Sequence, residues 1–235
     1  MTAKAIVEEL KGLGDEKYKS TLLKHGVKEP CFGVKIEDMK KIGKRIKADY
    51  QLALELYDTG ISDAMYFAGL IADDAAMTAA DLKRWVKKAS SPLISEYTVP
   101  WVAAGSPAGW NLANEWIDSK QESIASAGWS TFSSIVAIKD DKQLDLAELK
   151  TLLQRVQKSI QTQPNRVCYC MNGFVIAVGT YVKSLSNLAL ETAERIGPVV
   201  VDANGTACKI PFAPDRIKKV QASESVGKKR KSAKC

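Results

Sequence analysis

The sequence predicts an all-α protein of stacked helical pairs, and three observations lead there. Apolar residues recur at helical spacing from the start of the chain to about residue 196. The interruptions are short clusters containing Gly, Pro, Asp or Ser. A pattern also returns: Tyr50-Gln-Leu-Ala-Leu-Glu-Leu-Tyr-Asp-Thr59 lies in register with Trp110-Asn-Leu-Ala-Asn-Glu-Trp-Ile-Asp-Ser119. The two share Leu-Ala, then Glu, then Asp followed by Thr or Ser, and each is followed by a small spot, Ala68-Gly69 or Ala127-Gly128. The pattern describes a helix, a tight turn and a second helix packed closely at its Ala-Gly pair. Such hairpins cannot bury their apolar stripes alone, so they are expected to stack into a curved solenoid with a concave face.

Taken in order, about twelve helices are expected: 3–12, 15–25, 36–47, 49–57, 61–72, 78–90, 92–104, 108–118, 121–138, 145–162, 167–183 and 186–196. The third carries Lys40, Lys44 and Lys47, with Lys41 and Arg45, around half its circumference, either as a phosphate-contacting stripe or as an ordinary solvated face. Trp110 follows Gly109 at a helix start and is expected to be partly exposed, whereas Trp101, Trp116 and Trp129 sit among core residues. Arg155, Lys158 and Arg166 flank a break at Gln163-Pro164, where a helix N-terminus could add positive charge toward a phosphate. After residue 196 the pattern changes. β-Branched residues on both sides of Asn204-Gly205 predict a β-hairpin over 198–211, with Lys209 on its second strand, acting as a brace on the last helices or as a probe.

The 235 residues, 46% hydrophobic and 26% charged, suffice for a sizeable core, and one domain over 1–220 is expected. The net charge of +7 is concentrated at the end, where eight Lys or Arg residues follow from Arg216 onward. Residues 221–235, with Lys228, Lys229 and Arg230, read as a flexible basic arm that neutralises phosphates or merely aids solubility. The start of the chain alternates apolar and charged residues too early for a secretory segment, and the longest apolar run, Phe174 to Val182, is too short for a bilayer. A soluble, cytoplasmic protein is expected. Five cysteines without paired C-x-x-C spacing, a single histidine and no phosphate-cradling Gly-rich motif leave no metal or cofactor to expect and set aside most familiar enzyme classes.

Three stretches, Glu29-Pro-Cys-Phe-Gly-Val-Lys35, Ile94-Ser-Glu-Tyr-Thr-Val-Pro-Trp101 and Trp110 to Trp129, together with the repeats, resemble the AlkD-type DNA alkylation repair family of HEAT-like repeat proteins. That resemblance implies a concave, basic cleft holding duplex DNA and, in active members, excision of N-alkylated purines from an aromatic pocket. The pocket has a Trp and an Asp one turn apart, an Arg in the following repeat and a further Trp. Those positions fall on Pro92, Glu96, Ser126 and Phe174 here, so only the carboxylate of Glu96 is kept. It could stabilise a cationic sugar or orient water, or could simply be a buried interhelical carboxylate. The missing Arg and the expected hairpin place the chain closest in character to the AlkF-like branch, which binds branched DNA without excising bases. The reading is therefore a DNA-binding protein recognising branched or damaged DNA as a monomer, with Glu96 as the one candidate catalytic residue. An alkylpurine-DNA glycosylase and a protein-binding solenoid stand as alternatives.

Overall fold

The computed structural model describes residues 1–202 and 209–234. Three helices, α1 (Ala3–Gly12), α2 (Glu16–Lys24) and α3 (Ile36–Ile46), lead into five consecutive pairs. These are α4 (Tyr50–Asp58) with α5 (Ser62–Ile71), α6 (Ala79–Lys88) with α7 (Val99–Gly105), α8 (Gly109–Ile117) with α9 (Glu122–Ile138), α10 (Leu146–Ser159) with α11 (Asn165–Tyr181), and α12 (Ser186–Ile196) with α13 (Ala213–Ala222). The second members of the pairs pack on one another, α7 on α9, α9 on α11 and α11 on α13, while α5 meets the turn that precedes α7. They form an inner row backed by the first members. Side-chain caps from Thr2, Asp15, Asp49, Thr78 and Asp145 start α1, α2, α4, α6 and α10, each contributing about 1 kcal/mol.

The Ala-Gly spots are points of close approach. A Cβ on Gly128 would come within 2.7 Å of the Ile117 nitrogen at the end of α8, and one on Gly69 within 2.5 Å of Thr98 Cγ2. At Gly128 only glycine lets the two backbones meet at that distance, and at Gly69 it makes room for the Thr98 methyl. Between the rows lies the aromatic core: Tyr57 stacks on Trp85 at 4.0 Å, and Trp129, Phe132 and Phe174 pack together.

The stretch Glu29 to Lys35 is a packed loop whose amides are met by α5. Asp63 accepts hydrogen bonds from the Phe32 and Val34 N–H groups, and Ser62 donates to the Lys28 carbonyl. Ahead of α7, a π-helical turn spans Ile94–Thr98, with the Val99 N–H reaching back to the Ile94 carbonyl. Pro100 offers no N–H to continue an α-helical ladder through the Glu96 carbonyl, and a widened turn accommodates that loss.

The β-hairpin expected over 198–211 is not formed: the described residues contain no strand. Its tip, Asn204-Gly205, lies outside the described residues. The described flanks find partners on the helices. Asn165 holds Asp202 through both its amide nitrogen (2.9 Å) and its amide oxygen (2.7 Å), Asn172 donates to the Pro211 carbonyl (2.9 Å), and Val199 and Val201 lean on the core. A short isolated ribbon is marginal in water, and helix side chains that satisfy its backbone remove the reason for it to pair. α13 was not anticipated. Its start signals, Pro214 in the first turn and Asp215 beside it, were present.

Candidate functional site

On the inner row, α7, α9 and α11 enclose a cavity of about 380 Å³. Small side chains make the space. Ser130 and Ser134 on α9, and Gly173 and Ala177 on α11, stand four residues apart and share a face of their helices. Aromatic side chains bound it, Tyr97 and Trp101 from the α7 side and Tyr169 and Tyr181 from α11. Tyr97 and Trp101 meet edge to face, with ring centroids 6.0 Å apart. Arg230 and Ala233 close the cavity from the far end of the chain.

Glu96 forms one wall. Its side chain is 2% exposed, and both carboxylate oxygens are taken by Arg166, one by Nε at 2.7 Å and the other by the guanidinium's Nη2. The guanidinium in turn lies over the Tyr169 ring, 4.4 Å from its centroid. The backbone N–H of Arg166 is bonded to Glu122 at 2.7 Å, so one amide at the N-terminus of α11, which could have faced a phosphate, is already met by a carboxylate. Burial pushes the Glu96 carboxyl above its ordinary value, with the Arg166 hydrogen bonds and charge opposing that push. For Arg166, burial works against the charge, yet Glu96 outweighs it and holds the guanidinium above its usual value. Arg166 keeps its charge at neutral pH, since an arginine in a protein does not give up its proton. It also borders a second hollow of about 300 Å³ lined by Lys28, Pro92, Ser95 and Ser123.

The other positions implied by the family pocket do not converge here. Ser126 is fully buried within α9, Phe174 belongs to the aromatic core, and Pro92 sits beside the second hollow. A guanidinium does stand at the carboxylate, but it arrives from α11 and not from the helix that contains Ser126.

Among the DNA-contact candidates, Arg230 lines the cavity with Glu96, Arg166 meets Glu96 from the second hollow, and the other described ones line neither. Lys40, Lys44 and Lys47 are exposed on α3 or at its end and do not line the cavity. The indole N–H of Trp110 is spent on Glu148 at 2.7 Å, and its ring packs edge to face on Phe132. Arg155 is likewise engaged, pairing with Asp118 at 2.7 Å and donating to the Ile117 carbonyl at the end of α8. Lys209 is exposed, and Asn204 and Gly205 fall outside the described residues. Lys228 is exposed, whereas Lys229 donates to the Val136 carbonyl and pairs with Asp141. Residues 227–234, expected as part of a free arm, therefore lie against the ends of the inner helices. Sequence reasoning passed over Tyr97, Tyr169 and Tyr181. The signal was there in α11, where Tyr169, Gly173, Ala177 and Tyr181 recur every fourth residue.

A model of the DNA alkylation repair enzyme family matches residues 6–202. Uncharacterized protein Lmo0209 of Listeria monocytogenes is 34% identical over 194 residues, covering 81% of this chain and 83% of its own length. Uncharacterized protein Lin0241 of Listeria innocua is 32% identical over 194 residues, with the same shares covered. A solved structure superposes with a TM-score of 0.92 at 35% identity over 100% of both chains. It is described as representing a new family of proteins related to the HEAT-like repeat DNA glycosylases, with affinity for branched DNA structures.

Proposed function

The chain belongs to the DNA alkylation repair enzyme family, and from that membership we propose that it binds DNA on its inner face, recognising branched or damaged sites without excising a base. The affinity for branched DNA described for the structural relative, similar to this chain along its whole length, supports the first half. The second half rests on one observation: both oxygens of the buried Glu96 carboxylate are held by Arg166.

Hydrolysis of a glycosidic bond needs a carboxylate that faces the sugar, to stabilise its developing positive charge or to take a proton from water. Here the negative charge is already matched by a guanidinium that holds both oxygens, which weakens the carboxylate both as a base and as a counter-charge for a sugar cation. What the face offers instead is recognition. A cavity bounded by four aromatic rings suits unpaired bases, which stack on such rings with little regard for sequence, and branch points or lesions are where bases come unpaired. Phosphate contacts from Lys and Arg side chains supply the remainder of the affinity, which makes binding salt-sensitive.

The test is equilibrium binding of a four-way junction and of a linear duplex of equal length over a range of salt. A steep negative log-log slope is expected, with the junction bound more tightly. A slope near zero, or no binding at low salt, refutes the reading.

A further inference from the structure

Residues 227–234 cross the ends of three inner helices, and each crossing is fastened. The Gly227 N–H bonds the Thr180 carbonyl at the end of α11 (2.9 Å). The Arg230 N–H bonds the Ala137 carbonyl (2.8 Å), and Lys229 Nζ bonds the Val136 carbonyl (2.9 Å), both at the end of α9. Lys234 Nζ bonds the Ala72 carbonyl that follows α5 (2.7 Å). The last carbonyls of a helix lack partners within it and carry the negative end of its dipole, so this edge attracts amines. Two carboxylates strengthen the attraction: Asp141 pairs with Lys229 at 2.7 Å, and Asp74 with Lys234 at 2.8 Å. Ala233, 4% exposed, is pressed in between.

Without this segment, the edge would present helix carbonyls, Asp74 and Asp141, a surface that repels phosphates. With it in place the charge reverses. Lys229 and Lys234 turn inward as fasteners, while Lys228, Arg230 and Lys231 stay exposed.

We propose that residues 227–234 are a permanent strap that converts an electronegative edge of the inner face into its phosphate-binding surface, with Lys228, Arg230 and Lys231 as the contacts. The proposal rests on the DNA-binding reading above and says which cations carry it. A removable cover is the other way to read a segment lying on a binding face. Peeling it off would leave Asp74 half-buried beside a helix end with no cation near it among the described residues, and would turn two carboxylates toward the incoming phosphates. The strap is therefore part of the surface and not a lid over it.

The test compares junction binding by the intact chain and by the triple variant Lys228→Gln, Arg230→Gln, Lys231→Gln over a series of salt concentrations. These side chains are exposed, so melting should be unchanged. The log-log salt slope should become shallower by about 2.7, at about 0.9 for each of three phosphates lost, and affinity at low salt should fall. An Asp74→Asn, Asp141→Asn variant should weaken binding too and speed exchange of the Arg230 amide as the strap loosens. If the intact chain binds and the triple variant keeps its slope, the strap proposal fails while the DNA-binding reading stands. Tighter binding by the triple variant would make the strap an inhibitory cover and overturn the proposal. An intact chain that binds no DNA takes both down.

Discussion

Two arginine-carboxylate pairs sit on neighbouring helices of this molecule, and their surroundings give them opposite meanings. Arg155 and Asp118 meet in the open, with side chains 40% and 70% exposed, while Arg166 meets a Glu96 that is only 2% exposed. The first is a fastener: it ties α10 to the end of α8, and water could replace either partner. The second is a commitment. A carboxylate taken that far from water is tolerable only while its counter-charge remains, so the Glu96 charge is fixed in one direction. An arginine and a carboxylate at similar distance give a surface contact in one place and, in the other, the reason to read the site as a binding surface and not a catalytic one.

Breaking each pair should expose the difference. Arg166→Ala strands Glu96 and is expected to cost about 3 kcal/mol at neutral pH, lowering Tm by about 6–12 °C for a chain of this size. Thermal melts check this directly. The pH dependence sharpens it. Burial already raises the Glu96 carboxyl, and removal of Arg166 takes away the largest interactions that oppose burial. A folded-state value above the unfolded one means the native state binds the extra proton, so stability falls as pH rises through that interval and returns as pH drops below it. The deficit of the variant should therefore shrink on acidification from neutral pH, and a deficit constant with pH would mean that losing Arg166 does not raise the Glu96 carboxyl any further. The smallest effect belongs to the exposed pair. Asp118→Asn should change stability by about 0.5 kcal/mol or less, and that little should fade with added salt.

Much of the architecture was legible in the sequence because it rests on local pattern. Apolar spacing marked the helices from α1 to α12, and Ala68-Gly69 and Ala127-Gly128 marked the close contacts that Thr98 and Ile117 complete. The errors came where a local signal was judged without its surroundings. Asn204-Gly205 between β-branched residues is a hairpin signal, yet Asn165 and Asn172, far off in sequence, take up the flanking backbone. The basic residues after 216 were weighed as charge alone, which hid both the start of α13 and the acids that hold Lys229 and Lys234. The site was the least legible part. Glu96 could be singled out, but a partner from α11 is a tertiary fact, and no spacing along one helix announces that Arg166 will meet it.

The central claim is that this inner face holds DNA and leaves its bases attached. The most direct measurement is a single-turnover incubation with protein in excess over a duplex carrying a cationic N-methylated purine, followed by alkaline cleavage of any abasic sites. The account predicts DNA that is bound and then recovered with unbroken strands, at the level of a protein-free control. Strand breaks that accumulate with the intact protein and vanish with Glu96→Gln would contradict it, and would show that the carboxylate leaves Arg166 to do chemistry.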